Sequence, residues 1–428
     1  MQNILVIGYV WPEPRSSAAG SRMMELLELF RAQGWRVTFA SAAALSEHRA
    51  DLAELGIAEV QIALNCDSFD QWLSELQPDM VLFDRFFTEE QFAWRVERAC
   101  PEAMRVLDTC DLHSLREARH HLLKVAQQAC SNEADKQSVD AVSADPGQLF
   151  EVMANSDTAK REVAAIFRSD LSLMISEFEM RLLQQAFSVP TTLLHDCALM
   201  LIPSASEPAP FAERAHFISI GNFRHAPNWD SVLWLKHALW PLVRQRLPHA
   251  QLHVYGAYPP PKATALHNPK QGFHVLGWAD DAHQVMGQAR VCLAPLRFGA
   301  GIKGKLADAM ACGTPSITTA IGSEGMHGEM PWGGAVVGCA SAFVDAAVAL
   351  YEDENHWLQA QAQGTAILQQ RFDRQRLGRE LINRLAQLSE NLDAHRRDNF
   401  IGGMLRHHTL KSTQYMSQWI AAKNKSES

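Results

Sequence analysis

Residues 297–313 read Arg-Phe-Gly-Ala-Gly-Ile-Lys-Gly-Lys-Leu-Ala-Asp-Ala-Met-Ala-Cys-Gly. Gly299, Gly301 and Gly304 leave room for backbone to approach a ligand closely. The apolar spacing starts a helix near Lys303, and the first N–H groups of that helix have no intrahelical partners. Such a terminus attracts phosphate, with a dipole contribution of about 0.3–1 kcal/mol when exposed. Charge-assisted hydrogen bonds from Lys303 and Lys305 are worth roughly 1.5–3 kcal/mol each, so the lysines outweigh the dipole. Asp308 lies one turn deeper on a similar face, placed to accept the two hydroxyls of a ribose. A second tight turn, Ile321-Gly-Ser-Glu-Gly-Met, follows the next strand. The chemistry these residues suit is the binding of phosphate, with a carboxylate placed for ribose hydroxyls.

Other chemistries lack their residues. No D-x-D is present to bridge a metal to a diphosphate, and strand one is not followed by G-x-G-x-x-G for NAD or FAD. G-x-x-x-x-G-K-[ST], G-x-S-x-G and H-E-x-x-H are also missing. Eight scattered cysteines without a C-x-x-C suit free thiols in a reducing cytoplasm, not disulfides or zinc. No metal site is expected.

The elements that must position the loop follow an alternating pattern. Residues 3–9 are a continuous apolar run, as in a strand buried on both faces. Further strands are predicted at 36–40, 60–64, 80–83, 105–107, 171–176 and 191–195. Helical patterns fall at 21–31, 47–55, 68–76 and 88–99. Residues 111–165 form a helical insertion whose middle, 130–145, reads as a mobile loop. Residues 203–214 hold three prolines and read as a linker. A second series predicts strands at 216–220, 251–256, 273–277, 291–296, 315–319 and 335–337. Helices are predicted at 229–246, 280–289, 303–312, 340–352, 355–370 and 373–392. Trp229, Trp234 and Trp240 read as a packed face of the first of these. Two βαβ series give two parallel-sheet α/β domains, 1–202 and 215–394, with a ligand cleft beyond the strand ends.

Composition agrees with a folded globular protein. The 428 residues suffice for two or three domains, and 47% apolar with 20% charged residues is a globular balance. A net charge of −9 argues against a nucleic-acid binder. No apolar run reaches bilayer-spanning length, and the first residues lack signal-peptide character. The expected location is cytoplasmic, with peripheral contact at the inner membrane face left open.

The Gly-Lys segment resembles the donor-binding motif of GT-B glycosyltransferases, in particular the retaining, nucleotide-sugar-dependent family 4, or "group 1". The pattern is G-x-G-x-K-x-K-x-x-E-A-M-A-x-G-x-P-V-V-x-T followed by G-x-E-G. Gly299, Gly301, Lys303, Lys305, Ala309, Met310, Ala311, Gly313, Pro315, Thr318, Gly322, Glu324 and Gly325 fall in place. Gly221-Asn-Phe-Arg-His-Ala-Pro-Asn228 and Gly277-Trp-Ala-Asp-Asp281 match flanking turns. The resemblance is strong over 216–325 and only general in the N-terminal half.

The resemblance implies two Rossmann-like domains facing across a cleft. It implies transfer from a nucleoside-diphosphate sugar to a hydroxyl of a glycan, lipid or other acceptor, with retention, without metal and with no further cofactor. Arg224, Lys303 and Lys305 would stabilise the departing diphosphate, and His113 would stand near the sugar. Gly20, Gly299, Gly301, Ile302, Gly304, Asp308, Ser323, Glu324, Gly325 and Met326 would line the donor. On the acceptor side the candidates are Arg22, Asp108 and Asp111, with Ser17 also on the first loop. Ser176-Glu-Phe-Glu179 resembles a family S-x-x-E, and reads equally as a helix cap with an acidic first turn.

Two departures matter. The first carboxylate of the family's E-x7-E pair is Ala300 here and the second is Asp308, while Asn222 stands where an arginine often serves the diphosphate. A GT-B epimerase or hydrolase, or an inactive sugar-nucleotide-binding relative, therefore stays open. The tail, 395–428, carries six Lys/Arg against two acids, with Phe400, Met404, Tyr415, Met416, Trp419 and Ile420 at helical spacings. It is expected to cross back onto the N-terminal domain, the alternative being an anionic membrane surface.

Overall fold

The computed structural model describes residues 3–132, 136, 140–141, 145–202, 207–407 and 411–426. Much of the 130–145 loop and residues 203–206 of the linker lie outside the described residues. The N-terminal sheet has seven parallel strands: β1 (Asn3–Gly8), β2 (Arg36–Ser41), β3 (Ala58–Gln61), β4 (Met80–Asp84), β5 (Met104–Asp108), β6 (Leu171–Met174) and β7 (Leu194–Asp196). Their spatial order is β3-β2-β1-β4-β5-β6-β7. The C-terminal sheet has six: β8 (Ala215–Ile220), β9 (Leu252–Tyr255), β10 (Phe273–Gly277), β11 (Ala289–Ala294), β12 (Ser316–Thr318) and β13 (Gly334–Val336), ordered β10-β9-β8-β11-β12-β13. Each sheet reverses its order beside its first strand, β1 or β8, which is where open α/β sheets bind ligands.

The N-terminal helices are α1 (Ala18–Ala32), α2 (Ser68–Leu76), α3 (Arg85–Ala99), α4 (His113–Gln128), α5 (Pro146–Ala154), α6 (Asp157–Arg168) and α7 (Glu177–Phe187). The insertion is thus α4–α6. The helix expected at 47–55 is only a 3₁₀ turn, Leu52–Leu55, started by the Asp51 side chain and ended by Gly56 at φ 67°. The C-terminal domain adds α8 (Ala226–Trp234), α9 (Trp240–Arg246), α10 (Ala282–Gln288), α11 (Gly304–Ala311), α12 (Ala340–Glu352) and α13 (Glu354–Arg371). The single helix expected at 229–246 is interrupted by a π-helical segment, Leu235–Leu239. Pro241 just beyond it has no N–H to donate, so the hydrogen-bond ladder must shift there. Trp234 and Trp240 are buried in the core between this helix and the sheet.

The return to the N-terminal domain occurs earlier than the 394/395 boundary. Leu201 N–H bonds to Phe372 O at 2.9 Å. Helix α14 (Arg374–Glu390) then buries Leu377, Leu381, Leu385 and Leu388 in the core that contains Ile4, Leu27 and Phe30. The 4-4-3 spacing of these leucines makes one apolar stripe, and the stripe needs the α1 side of the N-terminal sheet to cover it. Arg374 pairs with Glu28 at 2.8 Å, and a Cβ at Gly378 would stand 2.9 Å from Leu29. Helices α15 (Leu392–Asp398), α16 (Phe400–Leu405) and α17 (Lys411–Ser426) continue over this domain. Arg396 grips Asp170 at 2.8 Å, α16 lies on α6 and α17 on α3.

Candidate functional site

The loops after β1, β5, β8, β11 and β12 converge between the two sheets. Gly299 and Gly301 have φ of 151° and 65°, which only glycine adopts at low cost. A Cβ on Gly301 would lie 2.8 Å from Asp111 Cβ, and one on Gly304 would lie 2.7 Å from Ala18 Cβ. The missing side chains let the donor-side loop meet the N-terminal domain directly.

Lys303 is the residue preceding α11, and its Nζ donates to Gly301 O at 2.5 Å. Lys305 Nζ donates to Asn228 Oδ1 at 2.7 Å. Burial lowers the pKa of both ammonium groups, that of Lys305 to about 8. A diphosphate would restore their charge. His225, exposed just ahead of α8, adjoins them, and desolvation together with the positive charges of Arg116, Lys305 and Lys303 lowers its pKa. Arg224 corrects the sequence reading. Its guanidinium lies over the Tyr258 ring, 3.7 Å from the centroid. The ring's π face holds the cation there. Asp308 is partly exposed, with Oδ1 3.5 Å from His283 Nε2.

On the facing side, His113 Nε2 is 3.5 Å from Asp111 Oδ1, with its ring against the edges of Phe86 and Phe87. Burial lowers its pKa to about 4 against the pull of Asp111. Burial acts to raise the Asp111 pKa, but the guanidinium of Arg116, helped by that of Arg85, outweighs it and lowers the pKa, so the carboxylate stays ionised. Glu162 accepts the His113 and Ser114 N–H groups at 2.8 and 3.1 Å, fixing the start of α4.

Arg22 and Asp108 do not face an acceptor. Both side chains are fully buried in an ion pair of 2.8 Å, and Arg22 also donates to Cys197 O. They join α1, β5 and the segment after β7 behind the cleft. Gly20 packs on the Glu13 backbone, 2.4 Å from an ideal Cβ, and its N–H bonds the Ser17 cap at 3.1 Å. Ile302 and Met326 are buried in the core shared by the two domains, so their side chains pack and do not line a ligand. Ser323 is buried with its Oγ 3.4 Å from Ala320 O, and Gly325 adopts φ 74°.

Several participants carried no functional assignment in the sequence reading. Arg119, on α4, donates to Gly299 O at 2.8 Å and pairs with Glu324 at 2.9 and 2.6 Å. Glu179 accepts Gly301 N–H at 2.7 Å and Leu112 N–H at 3.2 Å. His120 stacks on Phe298 at 4.2 Å, and His48 on Trp278 at 4.1 Å. The S-x-x-E spacing was the one signal available for Glu179; Arg119 had none.

These contacts hold the domains closed. A recess of about 50 Å³, lined by Arg15, Ser16, Asn222, Gly256 and Trp278 among others, lies between them. A nucleotide needs several times that volume, on the order of 300 Å³ or more, so this recess alone does not hold one. A larger cavity, about 860 Å³, lies at the crossover between Leu29, Leu201 and Ile382, lined also by Asp373, Arg374 and Arg379 and not by the glycine-loop lysines. Among the described residues, one group brings potential metal ligands together: Asp84, Asp108 and Cys110. It does not fit a metal, because Arg22 already pairs with Asp108 and Arg85 Nε lies 3.6 Å from Asp84.

Comparison with known proteins agrees with this architecture. The structure is similar to HepE from Anabaena in complex with UDP, with a TM-score of 0.61 and 13% identity, over 91% of this chain and 100% of that one. It is similar to sucrose-phosphate synthase from Thermosynechococcus elongatus, with a TM-score of 0.59 and 15% identity, over 92% and 100% of the two chains. The apo lipopolysaccharide outer core galactosyltransferase WaaB gives 0.55 and 13%, over 90% and 99%. A search of curated protein sequences returns no significant match. The two facing parallel sheets are the GT-B fold. Residues 214–353 match the family model Glycosyl transferases group 1.

Proposed function

We propose that the protein transfers a sugar from a nucleoside-diphosphate sugar to a hydroxyl of a glycan or lipid-linked acceptor. The observation that carries the reading is the Gly299–Gly304 loop with buried Lys303 and half-buried Lys305 at the start of α11. HepE, of the same fold, has been crystallised with UDP and with UDP-glucose. In this reading Lys303 and Lys305 meet the diphosphate, and Asp308 holds the ribose. Charge grows on the leaving diphosphate, so preorganised cations lower the barrier directly. Domain closure brings Asp111 and His113 to the sugar and excludes water. Transfer proceeds with retention and without a divalent ion, the lysines supplying the positive charge.

A thermal-shift screen of nucleotide sugars tests the donor, since a bound ligand raises Tm by mass action. Nucleotide release from the stabilising donor, measured with and without excess chelator, tests turnover and metal independence. No shift with any nucleotide sugar would remove the reading. Turnover that chelation abolishes and Mn²⁺ restores would remove its metal-free form. Donor consumption unaffected by any acceptor would favour a hydrolase or epimerase on the same cradle.

A further inference from the structure

Two polar side chains at the head of α7 are sealed from solvent and incompletely bonded. Ser176 occupies the N-cap position at 1% exposure, yet its side chain caps no backbone N–H. Its Oγ has no hydrogen-bond partner among the described residues. Glu179 is fully buried, and one oxygen accepts from Leu112 and Gly301. The other, Oε2, has no partner among the described residues. Buried polar atoms are almost always paired, so two orphans one helical turn apart, both against glycine turns of the facing domain, leave hydrogen-bonding capacity for a ligand there.

Both side chains belong to the N-terminal domain and abut glycine turns of the other. An ideal Cβ on Gly325 would stand 2.5 Å from Ser176 Oγ, and Glu179 touches the Gly301 N–H. Ala300, next to Gly301 in the chain, offers only a methyl group, which packs in the core of the N-terminal domain. The chemistry of the pair selects the ligand group. A serine hydroxyl both donates and accepts, and a carboxylate oxygen accepts, as hydroxyl groups require. A phosphate would be repelled by Glu179 and is served by Lys303 and Lys305 on α11. Burial raises the Glu179 pKa, with Asp111 adding to it, which makes a donating carboxyl accessible as well.

We propose that Ser176 and Glu179 form a subsite on the N-terminal domain that hydrogen-bonds hydroxyl groups of the sugar carried by the nucleotide donor. The subsite rests on the donor reading above. It forms only when the domains close, because Glu179 reaches Gly301 across the cleft. The nucleotide itself binds to the C-terminal domain and owes these two residues little.

Calorimetric titration of the full chain with UDP, ADP and GDP, and with the three corresponding diphosphoglucoses, separates the two contributions. Ser176→Ala removes one orphan oxygen and no described side-chain hydrogen bond. Glu179→Gln keeps an oxygen for the Leu112 and Gly301 N–H groups and changes the other atom. Each variant is expected to hold its affinity for the preferred diphosphate within about twofold. Each should weaken binding of the glucose conjugate by about fivefold or more, the scale of one hydrogen bond. Equal weakening of both ligands, or no change in either, overturns the subsite. If the unmodified protein binds none of the six, the lysine cradle is wrong and the subsite falls with it.

Discussion

The Arg119 guanidinium, on the N-terminal domain, holds the Glu324 carboxylate of the C-terminal domain in a two-pronged pair at 2.9 and 2.6 Å. The pair is mostly buried, and the same guanidinium takes the Gly299 carbonyl at 2.8 Å. One residue therefore ties the N-terminal domain to both glycine turns. Removing either partner strands a charge, whereas removing both does not. Arg119→Ala and Glu324→Ala should each widen the molecule in small-angle scattering and lower kcat about tenfold or more. Their coupling in a double-mutant cycle on stability should reach about 1–3 kcal/mol. Additive effects would show that the pair does not couple the domains.

Lys303 and Lys305 provide a second test. Lys303→Ala and Lys305→Ala should each weaken catalysis, and at least one should lose about 10²-fold in kcat, the scale of removing one transition-state charge donor. Near-normal turnover in the double variant would sink the diphosphate assignment.

The pH dependence of donor binding follows from the burial of Lys305. Its pKa lies near 8, below its ordinary value, because burial disfavours the ammonium. An anion binds the protonated form better, so binding raises this pKa and takes up a proton wherever free Lys305 is deprotonated. Diphosphate affinity should be flat below about pH 7 and fall as pH rises through 8. Calorimetry in buffers of different ionisation enthalpy would detect the proton uptake. Unchanged affinity between pH 7 and 9.5 would show that Lys305 does not meet the anion.

What the sequence revealed and what it hid divide along chain distance. The strand–loop–helix around Lys303 is local, and its glycines, lysines and apolar spacing lie within 17 residues. Glu179 and Gly301 are 122 residues apart, and Arg119 and Glu324 are 205 apart. Their pairing depends on how two domains dock, which no local pattern encodes. Ser176-x-x-Glu179 had a sufficient local explanation as a helix cap, and only the structure shows that no cap bond forms. Arg22 and Asp108 misled for a related reason. Charged residues on one side of a presumed cleft suggest chemistry, but these two find each other behind it. The crossover at 372–373 was placed too late because Leu377, Leu381, Leu385 and Leu388 would fit either domain. The Arg374–Glu28 contact decides between them.

The tail presents two faces with different chemistry. On α17, Ser417 receives a hydrogen bond from Arg95 at 3.1 Å and donates one to Asn65 at 2.8 Å, and Ala421 is buried one turn on. Tyr415 and Trp419 lie nearly opposite that seam, and with Met416 they are about 60% exposed. Lys423 Nζ stands 5.9 Å from the Trp419 ring, an aromatic–basic pairing suited to a lipid headgroup layer. The docked edge predicts that deleting residues 399–428 lowers kcat and lowers Tm by about 4 °C or more, since each kcal/mol is worth about 2–4 °C in domains of this size. The outer face predicts that Tyr415→Ser with Trp419→Ser leaves Tm and solution activity unchanged while reducing co-sedimentation with vesicles containing phosphatidylglycerol. A truncated protein that keeps its Tm and activity would refute docking. Full-length protein that ignores anionic vesicles would refute membrane contact and confine the tail to its place on α3.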